Sequence, residues 1–160
     1  MRRKVTVDRN ALRFYAAHMA TWCSQMEPLH GHNYAVVVEV EGELTDDAWV
    51  IDFADLKRTT KRICDELDHH FLLQTQSRTL DIEERPDEYE IRFESRRYVF
   101  PRSDVYPLPL DNSTAERLAE WFVGRLRDEL RPSAPNLTSI TVGIEEAPGQ
   151  AGWCTQALGE

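Results

Sequence analysis

The sequence predicts an α+β fold, an antiparallel sheet carrying two helices on one face. Two early segments, Leu12 to His18 and His30 to Glu41, alternate apolar and polar residues with the period of a strand. Two later segments carry apolar residues at helical spacing, and a final alternating run follows them. The order strand, strand, helix, helix, strand lacks the βαβ repetition of a parallel sheet, so both helices are expected on one side of an antiparallel layer. A small open sheet leaves its edges free, which favours pairing with further subunits.

In the first strand Leu12, Phe14 and Ala16 share a face that ends on His18. In the second, Tyr34, Val36, Val38 and Val40 share a face, and His30 and His32 are in phase with them. Met19 to Pro28 reads as a loop between the two. After a turn around Gly42 to Asp47, Asp52 is the expected N-cap of a helix with Asp55 in its first turn. Phe53, Leu56, Thr60, Ile63 and Leu67 trace its buried stripe, and it ends near Asp68-His69-His70. The second helix opens at Ser113, where Ser113-Thr114-Ala115-Glu116 reads as a capping box. Leu118, Trp121, Phe122, Leu126 and Leu130 give its buried face, and Pro132 stops it. Leu137 to Glu146 is the last strand, with Val142 and Ile144 in phase with Glu146; Gly149 and Gly152 then break the chain. The polar stretch 74–109 reads as an insertion within a single domain spanning 1–160. In it Tyr89–Phe93 and Tyr98–Phe100 form a hairpin around Ser95-Arg96, and Pro101, Pro107 and Pro109 exclude a long helix.

A formal charge of −9 argues against nucleic acid as a partner, because a surface that tracks phosphates needs clustered Lys and Arg. No apolar run follows the basic start Met1-Arg2-Arg3-Lys4, and no later stretch is long enough to span a bilayer, so a cytoplasmic protein without a membrane partner is expected. Cys23, Cys64 and Cys154 are odd in number and widely spaced, which predicts neither a disulfide framework nor a thiolate metal site. Cys64 falls on the apolar side of the first helix and reads as a small core residue. Cys23 stands close before His30-Gly31-His32 and remains a candidate for chemistry.

The histidines carry the strongest functional signal. An H-x-H pair on a strand points both imidazoles the same way, and His18 ends the neighbouring strand. Neutral imidazole is a common ligand of transition metals, and three histidines with one vacant position suit a catalytic zinc ion.

Five motifs occur in order: Phe14-x-Ala16-Ala17-His18, His30-Gly31-His32-Asn33-Tyr34, Ile51-Asp52-Phe53-x-x-Leu56-Lys57, Leu67-Asp68-His69-x-x-Leu72, and Ser113/Thr114-x-Glu116-x-Leu118-Ala119. Together they resemble the 6-pyruvoyltetrahydropterin synthase and 6-carboxytetrahydropterin synthase family over most of the chain outside 74–109. The resemblance implies the tunnelling fold, a four-stranded antiparallel sheet with two helices that assembles into a homotrimeric barrel or a hexamer with sites at subunit interfaces. It implies Zn2+ held by His18, His30 and His32, and a small-molecule pterin substrate, 7,8-dihydroneopterin triphosphate, whose side chain is cleaved or rearranged. Asp68 and His69 match the family's acid/base pair, in which the carboxylate orients the imidazole. Glu146, or failing that Glu145, matches the glutamate that grips the pterin ring by two hydrogen bonds.

One departure stands out. Familiar members of the family carry a catalytic cysteine four or six residues before the first histidine of the H-x-H pair, where this chain has Met26 and Ser24. Cys23 lies one residue further upstream, and Glu27 three residues before His30. Members resembling this pattern use a glutamate there and cleave the side chain by a retro-aldol step to 6-hydroxymethyl-7,8-dihydropterin, on the way to folate. Glu27 and Cys23 both remain candidates for the base. The alternative products are 6-carboxy-5,6,7,8-tetrahydropterin, on the route to deazapurines, and 6-pyruvoyltetrahydropterin; the alternative of another class is a pterin-binding protein without turnover.

Overall fold

The computed structural model describes residues 1–8 and 12–158. Its strands are β1 (Lys4–Val7), β2 (Arg13–His18), β3 (Thr21–Trp22), β4 (Gln25–Met26), β5 (His30–Gly42), β6 (His70–Gln74), β7 (Asp81–Glu84), β8 (Glu88–Phe93), β9 (Arg96–Pro101), β10 (Val105–Leu108), β11 (Leu137–Ala147) and β12 (Gln150–Ala157). The helices are α1 (Phe53–Leu67) and α2 (Ala115–Leu130). Strands β2, β5, β11 and β12 pair antiparallel in that order, which is the expected four-stranded layer, and β1 pairs with the far end of β5. Beyond β2 the sheet continues with β6 and β10, both parallel.

Both helices lie on one face of this sheet. Phe14, Tyr34, Val36, Val38, Val142 and Ile144 project from the strands onto Leu56, Ile63 and Leu67 of α1 and Leu118, Phe122 and Leu126 of α2. Each such side chain contributes roughly 1.5–3 kcal/mol by leaving water. Phe14 stacks on Tyr34 with ring centroids 4.6 Å apart, so the floor of the histidine-bearing strands is rigid aromatic packing. Cys64 is fully buried here, and burial pushes its thiol up to about 12, leaving a small apolar core residue.

The helix caps follow the sequence with two shifts. Asp52 caps α1 by accepting from the Ala54 amide at 2.9 Å, but Phe53 is half-exposed and the buried stripe starts at Leu56. Thr114, not Ser113, caps α2 by accepting from the Arg117 amide. Ser113 is instead fully buried, because its backbone carbonyl is drawn inward to a histidine.

The chain does not break after Glu146. Gly149, at φ +82°, turns β11 back into β12 as an antiparallel hairpin. Gly152 lies inside β12 because the first turn of α2 rests on it: a Cβ there would stand 2.5 Å from the Glu116 amide nitrogen. Gly152→Ala is therefore expected to cost about 1–3 kcal/mol through overpacking, read as a lowered urea midpoint at unchanged slope.

Residues 74–109 are more ordered than an inserted loop. β7, β8 and β9 form a three-stranded antiparallel sheet, including the expected hairpin, but its turn is Glu94-Ser95 and Arg96 already pairs with Phe93 rather than lying in the turn. Tyr89, Ile91 and Phe93 bury a second apolar cluster with Phe71, Leu73, Met19 and Met26. β6 is thus covered on both faces, Leu72 in the first cluster and Phe71 and Leu73 in the second, so it reads as a continuous apolar run without alternation.

Candidate metal centre and cleft

His18 ends β2 directly opposite His30, and Ala16 lies opposite His32, so the three imidazoles emerge on one face of two paired strands. Their Nε2 atoms converge: His30 Nε2 is 3.1 Å from that of His18 and 3.1 Å from that of His32. The other ring nitrogens are committed. His18 Nδ1 donates to the Ser113 carbonyl at 2.9 Å, and His30 Nδ1 donates to the Pro28 carbonyl at 2.7 Å. A carbonyl only accepts, so each Nδ1 carries a proton, and in the neutral ring that leaves the lone pair on Nε2. Burial lowers the His18 pKa to about 4; the hydrogen bond to Ser113 opposes it, and His30 and His32 add smaller downward contributions. Burial, then His30, also lowers that of His32. Neutral imidazoles with lone pairs pointed at one another repel unless a cation stands between them. Two nitrogens bound to one tetrahedral zinc ion are about 3.3–3.4 Å apart. The residues fit Zn2+.

Met19 to Pro28, read from sequence as a loop, contains a tight hairpin. β3 and β4 pair through Thr21 and Met26, and Cys23 and Ser24, at φ 48° and 60°, form its two-residue turn. The hairpin is tied down at several points. Asn112 accepts from the Thr21 amide at 2.9 Å and donates to the Thr21 carbonyl at 2.7 Å, and Gln74 donates to the Met19 carbonyl at 2.8 Å. Cys23 sits at the exposed tip. Glu27 leaves the base of the hairpin, its amide bonded to the Ala20 carbonyl, and its carboxylate reaches 3.9 Å from His30 Nε2.

Glu146 lies where the pairing of β11 with β12 shifts register between Glu145 and Ala147. Such a bulge re-aims a side chain, and Glu146 lines a cleft of about 460 Å³ with His18, Glu27, Glu116 and Gln150. Its Oε1 is buried without a partner, and burial, then Glu27 and Glu116, raises its pKa. Glu145 stays in register with Ala35 and Ala151 and lines, with Arg13 and Asn33, a second cavity that Glu146 also borders; only Glu146 reaches the cleft beside His18 and Glu27. Beneath the imidazoles the Tyr34 hydroxyl is also buried without a partner; burial, then the charges of Glu146 and Glu27, raises its pKa. The sequence alone does not point to Glu116, Gln150 or Tyr34 as site residues. Glu116 reads there as a capping residue and Tyr34 as a core residue in phase with the histidines, and Gln150 follows an apparent chain break.

Asp68 caps the C-terminus of α1 and accepts from the Tyr15 amide and from His69 Nδ1, both at 2.8 Å. Desolvation opposes its charge, but those two hydrogen bonds outweigh it and lower its pKa. The His69 ring is exposed and lies against Tyr15. Tyr15 pairs with Asn33, in the set that alternates with Ala16 and His32, so Asp68–His69 occupies the sheet face opposite the imidazole cluster of the same chain. His70 instead donates to the Asp68 carbonyl and packs on Tyr106.

A three-imidazole centre that could hold a metal ion stands beside a carboxylate-lined cleft, on a helix-backed antiparallel sheet. The profile of the 6-pyruvoyl tetrahydropterin synthase family matches residues 7–156, and the chain belongs to that family. It is 36% identical over 141 residues, 87% of this chain and 86% of the relative, to a Methanocaldococcus jannaschii protein named provisionally as a 6-carboxy-5,6,7,8-tetrahydropterin synthase. It is 42% identical over 117 residues, 73% of this chain and 71% of the relative, to the dihydroneopterin monophosphate aldolase of Pyrococcus furiosus. The crystal structure of 6-pyruvoyl tetrahydropterin synthase from Plasmodium vivax superposes with a TM-score of 0.93 at 30% identity, covering 99% of each chain. Two further structures of that enzyme replace a glutamate described as a catalytic residue by alanine or by cysteine. Among the described residues, no helix is long and apolar enough to cross a membrane.

Proposed function

We propose that the protein is a zinc-dependent pterin lyase that cleaves the side chain of a phosphorylated 7,8-dihydroneopterin, giving 6-hydroxymethyl-7,8-dihydropterin. The observation that carries this reading is the placement of Glu27. Its carboxylate faces the imidazole cluster, whereas Cys23 occupies the exposed tip of a hairpin held by Asn112 and Gln74. Relatedness to an aldolase acting on dihydroneopterin monophosphate supports the same choice.

Glu146 binds the ring, its unpaired buried oxygen accepting from the ring's N–H edge. His18, His30 and His32 would hold Zn2+, which when bound would supply a Lewis acid for the side-chain oxygens and the negative charge that develops on them. Glu27 takes the proton from the hydroxyl on the second side-chain carbon. That oxygen becomes a carbonyl as the bond between the first and second carbons breaks, and the electron pair passes into the ring's imine. Protonation of the first carbon completes 6-hydroxymethyl-7,8-dihydropterin and leaves a phosphorylated two-carbon aldehyde. Asp68–His69 supplies that proton from a neighbouring copy of the chain, since it faces away from its own cluster. The assembly is then a homo-oligomer, trimer or hexamer, and its metabolic setting the cytoplasm.

The direct test incubates the zinc-loaded protein with dihydroneopterin triphosphate and, separately, with the monophosphate, and identifies products by mass. 6-Hydroxymethyl-7,8-dihydropterin is expected, and Cys23→Ala retains turnover to within about twofold, as befits an exposed position. A 6-carboxy or 6-pyruvoyl product overturns the cleavage reading and keeps the family. No product from either substrate assigns the chain to pterin binding alone.

A further inference from the structure

We propose that Arg96 is a positioning residue for Glu27, and that the β7–β9 sheet serves the site by clamping the peptide that presents this carboxylate. The inference rests on Glu27 acting as the base. Arg96 opens β9, and its Nη2 donates to the Met26 carbonyl at 3.0 Å. That carbonyl and the Glu27 amide belong to one peptide group, and the Glu27 amide is bonded to the Ala20 carbonyl at 3.0 Å. Both polar ends of the peptide are therefore pinned, one to the base of the hairpin and one to the extra sheet.

The neighbouring hinges are closed as well. Pro28 holds the preceding Glu27 in extended backbone and fixes its own φ, and its carbonyl accepts from His30. The Met26 side chain is 4% exposed and packed in the second apolar cluster with Ile91 and Phe93. The Arg96 guanidinium in turn lies over the Phe93 ring, 5.1 Å from its centroid, which sets the plane from which it donates. Without Arg96 the Met26–Glu27 peptide is held on one side only. Rotation of that plane swings the Glu27 Cα–Cβ bond relative to the imidazoles, and a displacement near 1 Å is enough to cost about a hundredfold in rate.

Arg96→Ala is expected to lower kcat by about ten- to a hundredfold at nearly unchanged KM and zinc content. In the Glu27→Gln background the same substitution adds no further loss, since it acts through that carboxylate. Millimolar guanidinium partly restores kcat to Arg96→Ala and not to Glu27→Gln. Hydrogen exchange at the Glu27 amide accelerates in Arg96→Ala, a readout independent of turnover. Should Arg96→Ala fail to fold, Arg96→Lys, which keeps charge and a donor without the planar stack, carries the same cycle with a smaller loss. Unchanged kcat in a folded Arg96 variant, or losses from Arg96 and Glu27 that multiply independently, overturns the proposal. Full turnover in Glu27→Gln alone instead overturns the base assignment, and unchanged amide exchange in Arg96→Ala then overturns the clamp as well.

Discussion

Glu27→Gln is expected to reduce turnover by about 10²–10⁴-fold, the range that a positioned general base supplies, with zinc content and thermal stability close to those of the unaltered protein. The amide keeps the shape and hydrogen-bonding reach of the carboxylate and loses only its capacity to take a proton. Glu27 is half-exposed and among the described residues pairs with no lysine or arginine, so little folding free energy depends on its charge. The loss is expected in kcat, because the proposed ring contact lies elsewhere, at Glu146. Steady-state kinetics with quantified metal check this. A parallel loss of zinc would recast Glu27 as a support for His30, 3.9 Å away.

Metal removal should have the second large effect. His18→Ala is expected to abolish turnover, to leave less than one zinc per chain after dialysis, and to cost about 2–4 kcal/mol of stability by opening a buried cavity and stranding the Ser113 carbonyl. The same histidine sets a pH dependence. In the metal-free protein its folded pKa lies near 4, against 6.5 when unfolded, so the unfolded chain binds the extra proton between those values. Stability of the metal-free protein should therefore fall as pH drops from 6.5 to about 4 and level off below. Zinc adds stability at neutral pH, where the His18 Nε2 keeps its lone pair. Urea unfolding at pH 7 and pH 5, with and without zinc, measures both; a metal-free stability independent of pH over this window would contradict the buried neutral imidazole.

Much of this site is legible in the sequence because strand period is strict. Alternation places His18, His30 and His32 on one face before any coordinates, and the same count from Val142 and Ile144 favours Glu146 over Glu145. The α1 stripe and its Asp52 cap follow from local rules too. What escapes the sequence is non-local. Gly152 reads as a breaker, yet it is a glycine because a helix backbone rests on it. β6 lacks alternation because two cores cover it, one of them built by a segment that is polar on average. Asn112, Gln74 and Arg96 each hold the hairpin through a backbone carbonyl more than 50 residues away, as at 91, 55 and 70 residues here, and a hydrogen bond to a carbonyl leaves no pattern around either partner.

The described residues lining the cleft include three carboxylates, Glu27, Glu116 and Glu146, and neither lysine nor arginine. A chain of formal charge −9 with such an entrance repels a polyphosphate at a distance. Capture of the substrate is then an encounter against the field, so the association rate rises with added salt where most charged-ligand enzymes slow down. On the proposed reading, recognition comes late, from the ring after it has entered. Each additional phosphate then slows arrival and meets no cation among the described residues of this cleft, so any grip on it falls to the neighbouring copy that completes the site.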